Sequence, residues 1–328
     1  MAITSVELAR LAGVSRTTVD RALKGKRGIS EETRARILRI ARENRYRPNA
    51  IASSLSTGKS ASVGIIVFDL NNQHFTDMTM AIEEYFAQRG VLSYICLSRK
   101  DIAREKELIE NLCDKWVDGI ILLPVGFGEV YGAWLRSENV PIVTVSNRVH
   151  GFPFVSGDNE SASLTGMKNL YSRGYREIHF LCPPMRNKGK QNIYAQEARA
   201  NGYLRFLKAH EDVYGELIIE KDFFPRVTAL MQGAKSKPAF FCSSDTYLLE
   251  LRRFMIDEGI DLVKSCALMG FDGLDYLSQF TRRPTSIRYP ASEIGKCAAE
   301  MLDKLMRGDE VPDETLLPCP LLPGNIPD

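Results

Sequence analysis

The sequence predicts an all-α helix-turn-helix head joined to a two-lobed α/β core built on two doubly wound parallel sheets, and three observations carry that reading. Residues 4–46 place apolar side chains at helical spacing between strong caps. From Val63 onward, short β-branched runs alternate with helical stretches, the mark of buried parallel strands with crossover helices. The third observation is charge. Residues 1–60 hold 13 Lys and Arg against 5 Asp and Glu, and residues 61–328 hold 30 against 36, so the net +2 conceals a basic front end on a mildly acidic body. A basic segment of this kind suits a polyanion, since each cation laid on a phosphate releases a condensed counterion.

The elements follow in order. "TSVE" puts Thr4 at an N-cap with Glu7 three residues on, a capping box, and Leu8 and Leu11 supply the apolar face of a helix that stops at Gly13. Ser15 caps a second helix reaching about Leu23, with Val14, Val19 and Leu23 facing inward and Arg16, Thr17 and Arg21 outward. After the turn "KGKRG", Ser30 starts a third helix striped by Ile37, Leu38, Ile40 and Ala41. Two short helices joined by a tight turn make a helix-turn-helix, whose second helix lies in the major groove.

Residues 1–46 are thus expected to form a DNA-binding domain, the alternative being an ordinary helical segment with a solvated basic face. In residues 47–60, Pro48 can begin a short helix that Asn49 to Leu55 continue and Gly58 ends; so short a helix is stable only when something holds it. Residues 61–328 form the core. Its first lobe is expected over about 61–160 plus 291–328, from the strands "VGIIVFD", "VLSYICL", "GIILL" and "IVTVS", the amphipathic helix 291–306 and a final strand in the tail. The second is expected over about 161–290, from "IHFLC", "LIIE", "AFFCSS" and "CALMGFD", separated by helices such as 194–208 and 246–258.

Composition excludes other classes. A hydrophobic fraction of 44% with 26% charged residues is that of a globular protein, and neither a membrane span nor an export signal is present, so a cytoplasmic location is expected. The seven cysteines form no C-x-x-C pair and read as reduced, buried hydrophobes. Enzymatic motifs are missing. The four histidines lack H-E-x-x-H spacing, no G-x-S-x-G occurs, "STGKS" has Ser53 where a phosphate loop needs glycine, and "GFG" is too short for a dinucleotide fingerprint. No catalysis, cofactor or metal is expected.

The order "ELARLAGVSRTTVDRALKG", "ISEETRARIL", "YRPNAIASSL" and "VGIIVFD" closely resembles the lactose-repressor (LacI/GalR) family of bacterial transcription factors. The resemblance implies a DNA-binding head, a hinge helix and a dimeric effector-binding core of the periplasmic-binding-protein type. It places Thr4, Ser15, Arg16, Thr17, Thr18 and Arg21 where a pseudo-palindromic operator is read or gripped, and Asn49, Ala52 and Leu55 on the hinge, Leu55 as the wedge that kinks the minor groove. Asp20 departs from the family's usual serine. A carboxylate there repels phosphate, yet it can accept from cytosine or orient Arg16 or Arg21. Ser53 departs from the family's usual basic residue.

"FDLNNQHFTD" begins at the carboxyl end of the first strand, where ligands bind in open α/β sheets. Asp69, Asn72 and Phe75 suit a sugar, whose hydroxyls need paired acceptors and whose C–H face stacks on a ring; Gln73 and His74 replace the proline and phenylalanine common in the family. Matching segments add Asn147, Arg148, Arg199, Phe224, Ser244, Asp245 and Asp272, of which Arg199 and Asp272 can each hold vicinal hydroxyls or pair with one another. Three aspartates near two arginines favour a neutral sugar, unless "PMRNKGKQN" folds its cations over the cleft. The expected protein is a homodimeric repressor controlled by a small carbohydrate. A purine corepressor stacked on Phe75 is an alternative, and a solute-binding protein for sugar uptake would share the body but not the basic head.

Overall fold

The computed structural model describes residues 3–46, 60–280 and 283–324, and the chain divides into two compact units, 1–60 and 61–328. Asn49, Ala52 and Leu55, with the rest of the expected hinge helix, lie outside the described residues.

In the first unit, α1 (Ser5–Ala12), α2 (Arg16–Leu23) and α3 (Glu31–Glu43) each begin on a hydroxyl cap. Thr4 Oγ1 accepts from Glu7 N at 3.2 Å while Thr4 N donates to the Glu7 carboxylate at 2.7 Å, and Ser15 and Ser30 accept from Thr18 N and Thr33 N. Gly13, at φ 64°, takes the left-handed conformation that ends α1 and turns the chain into α2. Leu8, Val19 and Ile37 meet at the centre, with Ala9, Ala12, Ala22 and Ala41 small enough to let the helices close in. Leu11 departs from expectation at 48% exposed, because α1 turns positions 8, 9 and 12 to the core and leaves 11 on its flank.

In the second unit, β1 (Ser62–Val67), α4 (Gln73–Ala87), β2 (Leu92–Leu97), α5 (Ile102–Asp114), β3 (Gly119–Leu122), α6 (Gly128–Ser137), β4 (Ile142–Val145) and β5 (Phe154–Gly157) build a parallel sheet in the order β5-β4-β3-β1-β2. Next come α7 (Asn159–Ser172), β6 (Ile178–Leu181), α8 (Tyr194–Ala209), β7 (Leu217–Ile218), α9 (Phe224–Gly233), β8 (Ala239–Cys242), α10 (Asp245–Asp257), α11 (Leu262–Ser265), β9 (Ala267–Asp272) and β10 (Thr285–Arg288). Their strands run parallel in the order β10-β9-β8-β6-β7. β1, β3, β4, β6 and β8 are buried at every residue, which is why they read as continuous apolar runs.

The chain then returns to the first lobe through α12 (Ala291–Leu305), packed on α4. Gly295 makes that contact possible: a Cβ there would lie 2.5 Å from the Met78 carbonyl oxygen. β11 (Glu314–Leu317) pairs with β5 in the first sheet, but β12 (Leu321–Leu322) crosses and pairs antiparallel with β10 in the second. The tail is therefore divided between the lobes, which corrects the assignment of 291–328 as a block to the first.

Both sheets reverse strand order at one point, between β1 and β3 in the first and between β6 and β8 in the second. Chain leaving neighbouring strands in opposite directions opens a crevice at their carboxyl ends. In the first lobe that end carries Phe68–Phe75; in the second it carries the Pro183–Asn187 turn and Ser243–Ser244.

Candidate DNA-reading helix and interlobe cleft

Arg16, Thr17 and Arg21 lie exposed on α2, opposite the buried Val19 and Ala22. Ser15 and Thr18 fix the start of the helix together, their hydroxyls 2.9 Å apart. Thr4 is likewise committed to its capping box. Asp20 pairs with Lys24 at 2.9 Å, one turn along the helix, and Arg16 at the first position of α2 and Arg21 in its last turn are left exposed to solvent. Such a start, with its outward N–H groups and basic side chains, can grip phosphate and reach base edges.

The two lobe crevices face one cavity of about 360 Å³. It brings together Asp69, Asn72, Phe75, Asn147, Arg199, Ser244 and Asp272. Phe75 sits edge-on to Phe68, with ring centroids 5.6 Å apart, and 4.0 Å from the His74 ring, giving the first lobe an aromatic wall. At the other side Arg199 and Asp272 pair with each other, Nη1 to Oδ1 at 3.2 Å. Arg199 also donates to Asn159 Oδ1 at 2.8 Å and to the Ser243 carbonyl at 2.5 Å, and its guanidinium lies 3.6 Å from the Phe271 ring centroid. Its orientation is fixed before any ligand arrives.

Three buried polar atoms in this wall have no hydrogen-bond partner: His74 Nδ1, Ser243 Oγ and Asp272 Oδ2. His74 Nδ1 and Asp272 Oδ2 are 3.9 Å apart, too far to bond each other. Burial, with the positive charges of Arg199 and Lys100 behind it, lowers the His74 pKa to about 3, so its ring is neutral. Burial raises the Asp272 pKa to about 6, against the pull of the Arg199 charge and a weaker one from the Asn72 amide. A neutral imidazole with its proton on Nδ1 and a carboxylate side by side can share a hydroxyl that donates to the carboxylate and accepts from the imidazole.

Three expected residues lie elsewhere. Arg148 pairs with Glu314 at 3.4 Å beside β11, because the turn after β4 carries its side chain away from the cavity. Phe224 stacks on Phe254 at 4.6 Å in the packing between α9 and α10, where an aromatic is core. Asp245 is fully buried behind the cavity wall, accepting from Leu274 N at 2.9 Å and Ser286 Oγ at 2.7 Å; burial and the charge of Asp272 push its pKa to about 8.

Asn147 lines the cavity but works as a cross-lobe tie. Its amide donates to the Asn192 carbonyl at 3.0 Å and accepts from Ala195 N at 3.2 Å. Asn192 in turn donates to the Gly126 and Arg148 carbonyls at 3.0 and 2.9 Å. The loop it meets is held by buried Glu105, which accepts from Val125 N, Gly126 N and the Tyr131 hydroxyl. On the other flank Gln73 and Asp275 bond reciprocally, at 2.9 and 3.3 Å.

Tyr247 and Tyr289 also line the wall, unmarked by any sequence motif, and His74 of the "FDLNNQHFTD" segment lines it with them. Tyr289 follows β10 and reaches the first lobe, its hydroxyl 3.0 and 3.2 Å from those of Ser146 and Ser156. The available signal was position: Tyr247 lies one turn into the helix that Ser244 caps.

A helix-turn-helix head joined to a two-lobed core with a ligand-sized cavity between the lobes defines a ligand-responsive transcription regulator. Residues 6–49 match the bacterial regulatory proteins of the lacI family, and residues 167–325 match the periplasmic binding protein-like domain. The front of the chain thus carries a lacI-family regulatory module and its second half a periplasmic binding protein-like module. It is 27% identical over 332 residues to catabolite control protein A of Staphylococcus xylosus, covering 99% of this chain and 98% of that one. Among solved structures, the lac repressor dimer bound to operator and the anti-inducer ONPF superposes with a TM-score of 0.85 at 21% identity, covering 99% of each chain. The complex of the transcriptional regulator CelR with cellobiose matches with a TM-score of 0.69 at 23% identity, covering 99% of this chain and 100% of that one. No helix among the described residues is long and apolar enough to cross a membrane.

Proposed function

We propose that this protein is a homodimeric transcriptional repressor whose affinity for a pseudo-palindromic operator is set by a small carbohydrate bound between its lobes. The observation that carries the effector reading is the convergence of three unpartnered buried polar atoms, on His74, Ser243 and Asp272, upon a cavity edged by Phe68 and Phe75. An unpaired buried donor or acceptor costs about 1–3 kcal/mol, so the cleft is built for a ligand that brings hydroxyls and a C–H face.

The chain's own residues then have distinct roles. Arg16, Thr17 and Arg21 meet the operator, with Ser15 and Thr18 presenting the helix start. In each copy Asn49, Ala52 and Leu55 form the hinge, and Leu55 wedges the minor groove. Asp272 and His74 hold ligand hydroxyls, Arg199 fixes Asp272, and Asp69 and Asn72 act from the first lobe beside the stacking ring of Phe75. Ligand bound across the cleft competes with, or reinforces, the ties made by Gln73–Asp275 and Asn192, and so biases the angle between the lobes. The lacI-family head at residues 6–49 sets this reading above a solute carrier.

The test is in vitro selection of operators by the full-length protein, followed by anisotropy titration with and without carbohydrates. A dyad-symmetric site whose affinity shifts with one sugar is expected. Binding that shows no sequence preference would reject the regulator reading.

A further inference from the structure

We infer, building on the carbohydrate reading above, that the effector carries an anionic group, a phosphate ester or a carboxylate, held in a basic extension of the cleft. A second cavity of about 210 Å³ opens beside the first, and the two share Phe68, Lys100, Pro184, Gln196 and Tyr247 in their walls. Lys100, Arg186 and Lys221 line the extension, and no carboxylate does. Side-chain amides of Asn187, Gln191 and Gln196 supply neutral donors at the same wall.

The three cations are uncompensated. Among the described residues none of them has a carboxylate within ion-pair distance, whereas Lys188 of the same loop pairs with Glu197 at 3.2 Å. The main cavity is mixed, with Asp69, Glu250 and Asp272 facing Lys100 and Arg199 in its lining and Asp272 already paired with Arg199. The charge balance that the sequence offers counts Arg148 and Asp245, and neither lines the cleft. A ligand therefore meets mixed charge in the main cavity and cations without carboxylates in the extension.

The extension also joins the lobes. Lys100 follows β2 of the first lobe, where Arg99 and Lys100 both hold left-handed backbone at φ 54° and 59°. Gln191 of the second lobe donates to the Lys100 carbonyl at 3.0 Å, bringing Lys100 toward Arg186 and Lys221. Closing the lobes gathers like charges, and a bound anion offsets their repulsion where a neutral sugar leaves it. The anion is thus a reason for the lobes to stay together.

The experiment is calorimetric titration of the full-length protein with a set of neutral hexoses and pentoses, the corresponding sugar phosphates, and the corresponding sugar acids. K100Q/R186Q/K221Q is compared with wild type, and K188Q/K190Q removes neighbouring charge without touching the cavity wall. The expected result is that a phosphate or an acid binds at least tenfold tighter than its neutral parent. That preference falls to within twofold in the triple variant and persists in K188Q/K190Q. Phosphates and acids tell apart which anion the extension takes. Equal binding of neutral and charged sugars, or a preference that survives the triple substitution, overturns the anion site and leaves the carbohydrate reading standing. Failure of every sugar in all three classes overturns the carbohydrate reading and this inference with it.

Discussion

Asp272 concentrates the chemistry of the cleft in one side chain. One oxygen is held by Arg199 and the other is buried without a partner, so a ligand hydroxyl has a single well-placed acceptor. Its pKa, raised to about 6 by burial, gives the pH dependence a sign. A hydroxyl that donates to the carboxylate binds fully above that value and loses affinity as pH falls through it, by about tenfold per unit once the acid form dominates. Calorimetry between pH 7.5 and 4.5 checks this, and an affinity flat across that range would remove Asp272 from the contact. On the head, Arg16→Ala should relax base preference at one position of each half-site, costing about 1–3 kcal/mol for the preferred base. Equal weakening on every operator variant would make Arg16 a phosphate contact. Strand-end position and side-chain chemistry marked Asp272 and Arg199 in the sequence. That they spend one of their bonds on each other depends on the fold of the second lobe bringing α8 to the end of β9, which no local pattern records.

Individual elements were legible to the extent that their stabilisation is local. The three caps of the head lie on Thr4, Ser15 and Ser30 as spacing predicts, because a hydroxyl accepting from an N–H three residues on is written within four residues of sequence. β5 and β10 escaped. "FVSG" and "TSIR" are four residues each, lack an apolar run, and owe their place to neighbours already in the sheets. Nothing in the sequence marks β10, and so nothing marks Tyr289, which follows its carboxyl end. β12 was misassigned to the first lobe for a related reason: its two residues are strand only because β10 accepts them. The contact of α4 with α12 offers a direct test of packing. Gly295→Ala should destabilise the core by about 1–3 kcal/mol, since the new methyl meets the Met78 carbonyl and the helices must separate. Denaturant unfolding reads it, and an unchanged midpoint would show that the helices slide freely. For the hinge, Leu55→Ala should weaken specific operator binding far more than non-specific binding, and equal loss of both would reject the wedge.

At the scale of the whole molecule, a helix-turn-helix head is joined to a core whose lobes are tied on both flanks of one cavity. Effector bound there must stabilise the fold through linkage: at 100 times its dissociation constant it adds about 2.7 kcal/mol, seen as a rise in Tm of the full chain. A carbohydrate that calorimetry shows bound but that leaves Tm unmoved would be binding unfolded and folded chains alike, outside the cleft. The central claim is that occupancy of the cleft controls DNA binding by the head. It is tested most directly by measuring operator Kd by anisotropy, with and without saturating effector, for wild type and for Asp272→Asn. The account predicts that effector shifts the wild-type Kd about 5- to 150-fold and leaves that of the variant unmoved at the same effector concentration. An operator Kd that stays constant for wild type while the effector is demonstrably bound would contradict it.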